Sequence, residues 1–188
     1  MDARQAILDR RTVHHYSTEP VPEGCIERAL EAAITAPNHK LSYPWRFLRV
    51  GPEARERLTE LYVEGKRQKK GGLTDDQEET YRRKVADPPE LVVPVQQLDE
   101  DDFRRKEDYA TMAFAIQNFM VSLRGEGIFS KWTTGSVTRH EETYELLGVD
   151  PDKQEIVGFL WVGYPREECR GDESPPRKPL DEVVRRVP

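Results

Sequence analysis

The chain has 188 residues, 36% hydrophobic and 34% charged, with 29 Lys and Arg against 35 Asp and Glu and a formal net charge of −6. This size fits one domain or one protomer of an intertwined oligomer, and the acidic balance argues against general nucleic-acid binding, which needs a basic face. No run of about 18 apolar residues is present to cross a membrane, no apolar leader opens the sequence, and Cys25 and Cys169 stand alone, so we expect a cytoplasmic protein.

The N-terminal part of the chain alternates helical and strand patterns. A short helix is predicted over 2–10, and a second helix from Pro22 to Pro37, because proline suits a first helical turn and disfavours helix in the residue before it. Residues 45–50 alternate as a strand, and residues 52–64 predict an amphipathic helix. The apolar residues that the first helix is expected to bury are Ala3, Ile7 and Leu8.

The segment 65–88 has a different composition. A basic run over 66–70 precedes an acidic run over 75–79, and no dense apolar face occurs before Val85. Charge runs of this kind cannot bury enough apolar surface to become ordered, which favours a solvated, mobile excursion. The alternative is a mobile lid that covers a ligand.

The C-terminal half contains three apolar strand patterns, at 91–95, 128–132 and 156–164. Pro94 places the first of them near a sheet edge or a bulge, since proline lacks the N–H that a ladder needs. The glycines of the third strand indicate close approach by a neighbouring backbone or by a ligand. With a further helix over 139–147, the chain is predicted to be of mixed α+β class.

The strongest helical pattern covers 106–124. Apolar side chains lie nearly all round this helix, so it is expected to be buried on all sides. In so polar a chain, this pattern favours a helix at the centre of a dimer. The alternative is the central helix of a monomeric core.

Two cationic segments near opposite ends of the chain suit a phosphate site. The first, 10–14, is Arg-Arg-Thr-Val-His, and the second, 176–180, is Pro-Arg-Lys-Pro-Leu. Between them, 36–45 joins a helix stop to polar side chains and Trp45. Because arginine forks and hydroxyls match phosphate oxygens, the three segments together indicate a cradle for a phosphate attached to a flat aromatic ring. The alternative for the arginine pair is a solvated helix end.

Familiar catalytic motifs are missing from the sequence. It contains no glycine-rich phosphate loop, no dinucleotide fingerprint, no nucleophile elbow and no zinc-protease motif. The four histidines lack partners at ligand spacing, so no metal site is expected. Phosphate-binding parts without acid–base machinery indicate that a cofactor carries the chemistry. FMN fits, because it has one phosphate and one large planar ring and needs no dinucleotide fold.

Five segments, in chain order, resemble motifs of the nitroreductase family. They are Arg10–Thr12 after the first helix, 36–45 after the second, Trp132–Gly135, 156–165 and 177–184. Each match is modest alone, but their order and their spread over nearly the whole chain make the resemblance fairly specific. The short length is similar to that of a minimal subgroup of the family.

The resemblance implies a three-layer α-β-α sandwich, formed by a single domain over 1–188 and assembled as an intertwined homodimer. It also implies two FMN molecules at the dimer interface, each contacted by both chains. Carried over by the same resemblance, Arg10 and Arg177 hold the phosphate. Arg11 and Thr12 line the phosphate and ribityl side of the site.

The resemblance further assigns the surroundings of the flavin ring. Thr35 and His39 approach the ring from the partner chain. Trp132, Thr133 and Thr134 border it, with a nearby backbone N–H facing N5.

Three positions depart from the family pattern, of which Thr12 in place of Ser is chemically mild. His14 stands where many members have a second Arg or Lys, and Thr133 stands where the short subgroup has Arg. Both bear on the N1–C2=O edge of the flavin, where a cation stabilises negative charge and where His14 is expected to lie. Lys131 is a candidate to compensate, although strand alternation points it to the opposite face from Trp132.

The activity that the resemblance implies is that of an FMN-dependent NAD(P)H oxidoreductase. NADH or NADPH passes a hydride to flavin N5, and a small electron-poor acceptor such as a nitroaromatic, a quinone or an enone then receives the electrons. No catalytic side chain is expected, because flavin N5 carries the chemistry. Two alternatives stay open: an FMN-binding flavoprotein of this fold with a binding or regulatory role and no NAD(P)H oxidoreductase activity, and a scaffolding dimer without cofactor.

Overall fold

The computed structural model describes residues 2–169 and 176–187 of the chain. The α-helices in these residues are α1 (Ala3–Asp9), α2 (Cys25–Ala33), α3 (Pro52–Lys70), α4 (Asp75–Ala86), α5 (Asp102–Gly125), α6 (Glu141–Leu147) and α7 (Leu180–Val183). The strands are β1 (Trp45–Arg49), β2 (Glu90–Gln97), β3 (Phe129–Thr133), β4 (Gln154–Ile156) and β5 (Phe159–Gly163). Short 3-10 turns lie at His39–Leu41, Ser136–Arg139 and Glu167–Cys169.

The strands form one sheet in which every described pairing is antiparallel. Four strands follow the order β1-β2-β5-β3, and β4 pairs with the C-terminal end of β2. The prediction of an edge position for Pro94 is wrong, because β2 has neighbours on both sides. Pro94 is accommodated because it lies between the part of β2 that pairs with β5 and the part that pairs with β4.

Apolar side chains alternate across this sheet and bury both of its faces. Val92 and Leu160 pack on one side in a core shared with α2 and α5. Leu91 and Phe159 point to the other side, into a core shared with α3 and α4. Because helices cover both faces, the predicted α+β fold with three α-β-α layers is confirmed.

The helix α5 is only half enclosed by its own protomer. Its buried side chains include Met112, Ile116 and Phe119, which pack in the core shared with α2. Phe114, on the opposite side, remains 53% exposed, and Tyr109, near the start of the helix on the same stripe as Met112, remains 42% exposed. The single protomer therefore does not bury this helix on all sides, and its burial at the centre of a dimer stays a prediction. No helix among the described residues is long and apolar enough to cross a membrane.

The helix α1 buries a different residue from those predicted. Ala6 is its buried side chain, whereas Ala3 is exposed and Ile7 and Leu8 are 54% and 60% exposed. Only one narrow stripe of so short a helix meets the body of the protomer, so the other apolar residues lie on its outer side.

The segment 65–88 forms a helical hairpin, which its charge runs did not predict, while its mobility and its role as a lid stay predictions. α3 continues to Lys70. α4 begins at a capping box that is made by Thr74 and Gln77, the third residue of the helix. Val85 anchors α4 in the core beneath the sheet. Two cross-helix ion pairs add to this anchor: Arg67–Glu78 at 2.6 Å and Arg82–Glu60 at 2.5 Å. A local sequence pattern does not show this charge pairing, because it joins residues of two different helices.

The strand predicted over 156–164 is interrupted at Gly158, which separates β4 from β5. A Cβ at Gly158 would clash with the indole of Trp132 and would lie 2.7 Å from the carbonyl oxygen of Thr133. At Gly163 a Cβ would lie 2.5 Å from the ring of Pro89. The predicted close approach at these glycines is confirmed.

We expect Gly158→Ala to lower the free energy of unfolding by about 1–3 kcal/mol, because a rigid carbonyl and a packed indole cannot both move away from the added methyl group. Urea unfolding at equal cofactor loading measures the change. Gly51→Ala is the matched control, since no atom lies within 4 Å of a Cβ added there. Equal stability of Gly158→Ala and the parent would contradict the close approach.

Candidate functional site

Arginines from the two ends of the chain meet in the folded protein. Arg10 follows α1 as its C-cap and is half-buried, and Arg177 lies just before α7. Burial lowers the pKa of Arg10, and the positive charge of Arg177 lowers it further. No carboxylate of residues 2–169 or 176–187 lies within ion-pair distance of either guanidinium. Two neighbouring cations without a counter-charge fit a dianion such as a phosphate.

The two residues after Arg10 face a small cavity of about 140 Å³. Arg11 is half-buried and Thr12 is exposed at its wall. Arg124 of α5 also lines this cavity, with its guanidinium 4.6 Å from the centre of the Phe129 ring. The cavity therefore places a second arginine beside the predicted phosphate segment.

His14 is exposed at the rim of a larger cavity of about 410 Å³. Part of its wall is formed by α4, through side chains that include Thr80 and Lys84. Arg166 lines it too, and its Nε donates a hydrogen bond of 3.1 Å to the carbonyl oxygen of Tyr16. The fold thus brings His14 to the α3–α4 hairpin.

The end of β3 presents side chains and free main-chain donors. The indole of Trp132 donates to a main-chain carbonyl at 3.3 Å, and the hydroxyl of Thr133 accepts from the indole of Trp161 at 2.9 Å. Thr134 is exposed. Within the described parts of the chain, neither its N–H nor that of Gly135 donates a hydrogen bond. Such donors suit an electron-rich atom of a bound ligand.

A cavity of about 170 Å³ lies between the end of β3 and the hairpin. Its apolar walls are Leu58, Tyr62, Val85, Val137, Phe159 and Trp161, and its other lining residues are Lys66, Lys84, Lys131, Thr133, Gly135 and Ser136. Burial lowers the pKa of Lys131, and the charge of Lys84 lowers it further. Lys131 and Trp132 were predicted to point to opposite faces of the sheet. This is confirmed, because Trp132 packs in the core on the other side of the sheet. The cavity is therefore apolar and cationic, with no carboxylate in its lining.

Thr35 and His39 lie on the outer surface after α2, both exposed. The hydroxyl of Thr35 donates to the carbonyl oxygen of Ala32 at 2.7 Å, and His39 begins a 3-10 turn. Neither residue lines the cavities that contain Arg11, His14 or Thr133. Within one protomer, the fold does not bring them into the site.

Sequence reasoning missed three cations of the site: Lys66, Lys84 and Arg124. One signal was available for Lys84, because it precedes Val85, the residue at which the charged segment first offers a dense apolar face to a core. A side chain beside such an anchor lies at the margin of the core. Lys66 carried no such signal, since its position depends on how α3 and α4 pair.

We expect Lys131→Met to stabilise the flavin-free protein at neutral pH. A lysine whose pKa is lowered by folding binds its proton more weakly in the folded than in the unfolded state, so its ionisation opposes folding below that lowered pKa. The parent should therefore gain stability as the pH rises toward about 10.4, and the advantage of Lys131→Met should shrink. Unfolding curves between pH 7 and pH 10.5 test this, with the exposed Lys69→Met as control. A pH-independent difference would contradict it.

One family model and two known proteins match most of the chain. The Nitroreductase family model matches residues 7–164. The chain is 28% identical over 186 residues to the Bacillus subtilis (strain 168) protein named Putative NAD(P)H nitroreductase YfhC, covering 98% of this chain and 89% of that protein. It is 27% identical over 168 residues to Putative NAD(P)H nitroreductase YdjA of Escherichia coli K12, covering 88% and 90%.

Solved structures share the same architecture. A nitroreductase-like family protein from Bacillus cereus superposes with a TM-score of 0.84 at 25% identity, over 100% of this chain and 96% of that one. A putative nitroreductase from Desulfovibrio desulfuricans, solved in complex with FMN, has a TM-score of 0.75 at 21% identity, over 100% and 98%. Since the family model spans most of the described fold, from the end of α1 past β5, the chain belongs to the Nitroreductase family.

Proposed function

We propose that the protein is an FMN-dependent NAD(P)H oxidoreductase that acts as a homodimer on a small electron-poor acceptor. The observation that carries the proposal is the meeting of Arg10 and Arg177, two cations from opposite ends of the chain with no carboxylate beside them among the described residues. Membership of the Nitroreductase family supports it, as do the names of the relatives, which give NAD(P)H as donor.

The residues present fit FMN at its phosphate end. Arg10 and Arg177 would donate charge-assisted hydrogen bonds to the phosphate oxygens. Arg11 and Thr12 would line the phosphate and ribityl side, where Arg124 adds a further positive charge.

The residues present also fit the flavin ring. Thr133 and Thr134 would border it, and the free N–H groups that follow β3 would donate to N5, whereas the Trp132 side chain packs in the core on the other side of the sheet. Thr35 and His39 would reach the ring from the partner protomer, which fits their exposure outside the cavities of their own chain. Bound FMN supplies the two-electron hydride chemistry that no side chain offers. The chain itself binds and orients the ring and excludes water from it.

Positive charge near the ring comes, in this proposal, from lysine. His14 and Thr133 replace residues that are cationic in many family members, but Lys84 lines both the cavity of His14 and the cavity of Thr133. Lys131 adds a second charge on the same side. These two lysines would stabilise negative charge at the N1–C2=O edge, with His14 contributing when protonated.

The homodimer follows from apolar surface that the protomer leaves open. The exposed apolar side chains include Ile7 and Leu8 of α1, Tyr109 and Phe114 of α5, and Leu180, Val183, Val184 and Val187 of the C-terminal segment. Patches of this kind mark association surfaces in proteins that otherwise bury their apolar residues. A second copy of the chain would cover them and would bring Thr35 and His39 to the partner's site.

The absorption spectrum of the purified protein tests the proposal. We expect a yellow protein that releases FMN on acid treatment, identified by chromatography. Anaerobic addition of NADH or NADPH should remove the visible absorbance, and a quinone or a nitroaromatic should restore it.

Three results would contradict the proposal in different ways. Release of FAD would exclude the phosphate assignment. Visible absorbance that neither donor changes would favour an FMN-binding protein with a binding or regulatory role. A colourless protein that takes up no added FMN would favour a scaffolding role.

A further inference from the structure

Three lysines surround one tyrosine on the α3–α4 hairpin. The ammonium groups of Lys66 and Lys70, one turn apart on α3, lie 5.8 Å and 5.3 Å from the centre of the Tyr81 ring. Lys84, one turn after Tyr81 on α4, lies 5.2 Å from the same centre. The pKa of Tyr81 is lowered, first by a hydrogen bond from Lys70 and then by the charges of all three lysines. We call these four residues the lysine–tyrosine cluster.

The cluster has no negative partner in the described parts of the chain. None of its lysines lies within ion-pair distance of a carboxylate. The arginines of the same hairpin behave differently, because Arg67 and Arg82 are both paired with glutamates. The hairpin thus neutralises its arginines and leaves its lysines without counter-charge, although like charges so close together repel one another.

The cluster lies at the rim of the candidate site. Lys66 and Lys84 line the same cavity as Thr133 and Ser136, at the end of β3. Lys70 is exposed and lies one turn further out along α3. Positive charge therefore extends from the cavity to the exposed side chain of Lys70.

We propose that the lysine–tyrosine cluster is an anion-binding subsite for a substrate, one that takes a phosphate or carboxylate group while the substrate's reacting end occupies the cavity. The proposal rests on the proposed oxidoreductase function, in which the FMN phosphate is held elsewhere, by Arg10 and Arg177. Lysine ammonium groups act as point charges and suit an exchangeable anion that needs no fixed fork geometry. The 2′-phosphate of NADPH is one source of such an anion, and an acidic substituent of the acceptor is the other.

Binding measurements test the subsite without turnover. Isothermal titration of the holoprotein would compare adenosine 2′,5′-bisphosphate with adenosine 5′-monophosphate, and 4-nitrobenzoate with 4-nitrobenzamide. We expect one anionic probe to bind at least about tenfold more tightly than its counterpart. Lys66→Ala and Lys70→Ala should each reduce that advantage by about three- to tenfold, and the double variant should remove it. Raising the salt concentration should also weaken it.

Lys69→Ala is the matched control, because Lys69 lies between the two on α3 but is not among the lysines around Tyr81. It should bind the probes as the parent does, and Lys66→Arg should keep most of the advantage. An advantage for the bisphosphate assigns the subsite to the donor, and an advantage for the benzoate assigns it to the acceptor. Equal binding within both pairs, or equal loss in Lys69→Ala, overturns the subsite.

The two proposals fail in distinguishable ways. If the lysine variants alter probe binding but neither donor changes the flavin absorbance, the subsite stands and the oxidoreductase function fails. If both donors reduce the flavin and the lysine variants bind every probe like the parent, the function stands and the subsite fails.

Discussion

Arg10→Ala and Arg177→Ala are each expected to weaken FMN binding by about 10- to 100-fold. Each substitution removes a charge-assisted contact to the phosphate, which contributes roughly 1.5–3 kcal/mol. Arg10 is half-buried beside the charge of Arg177, so without the phosphate its guanidinium opposes folding rather than supporting it. Loss of cofactor affinity should therefore occur without loss of stability in the flavin-free protein.

Fluorescence titration of flavin-free protein with FMN measures the affinities, and urea unfolding measures stability. Arg46→Ala is a suitable control, because Arg46 is exposed and its guanidinium donates only to main-chain carbonyls. Arg10→Lys should retain part of the affinity for FMN, since lysine keeps the positive charge but cannot donate the paired hydrogen bonds of a planar guanidinium. Parent-like affinity in both alanine variants would show that the phosphate is bound elsewhere.

Phe114→Glu is expected to convert the proposed homodimer into a monomer. Phe114 lies in the middle of α5, on the side opposite the packed core, with 53% of its surface exposed in the protomer. In a two-fold dimer the substitution occurs twice at one interface, and each unpaired carboxylate that is buried costs several kcal/mol. Association should weaken by more than about 100-fold, and FMN should be lost along with the partner's Thr35 and the partner's His39.

Sedimentation velocity at micromolar concentration measures the oligomeric state, and the visible spectrum of the same sample measures retained flavin. Arg57→Glu also places a carboxylate on a helix, on α3 in the opposite helical layer, and should stay dimeric. A dimer that persists in Phe114→Glu would place the interface on another surface. A parent protein that sediments as a flavin-loaded monomer would exclude the dimer altogether.

The sequence by itself determined the features that depend on neighbouring residues. Pro37 and Gly148 are local signals that mark where helices end, and they predicted the ends of α2 and α6 to within a few residues. The apolar run 91–95 predicted a strand where β2 lies, and the glycines of 156–164 predicted close approach. The order of the five motifs along the chain identified the family, because each motif depends on only a few neighbouring residues.

Only the tertiary structure decided how distant charges are arranged. In 65–88, the pairing of α3 with α4 joins arginines to glutamates that are distant in sequence and buries Val85, and a local pattern of charge runs does not show either contact. The meeting of Lys66 with Lys84, and of Arg10 with Arg177, likewise depends on how elements far apart in sequence pack together. Periodicity shows which face of a helix is apolar, but the charge environment of a side chain depends on which other elements lie beside it.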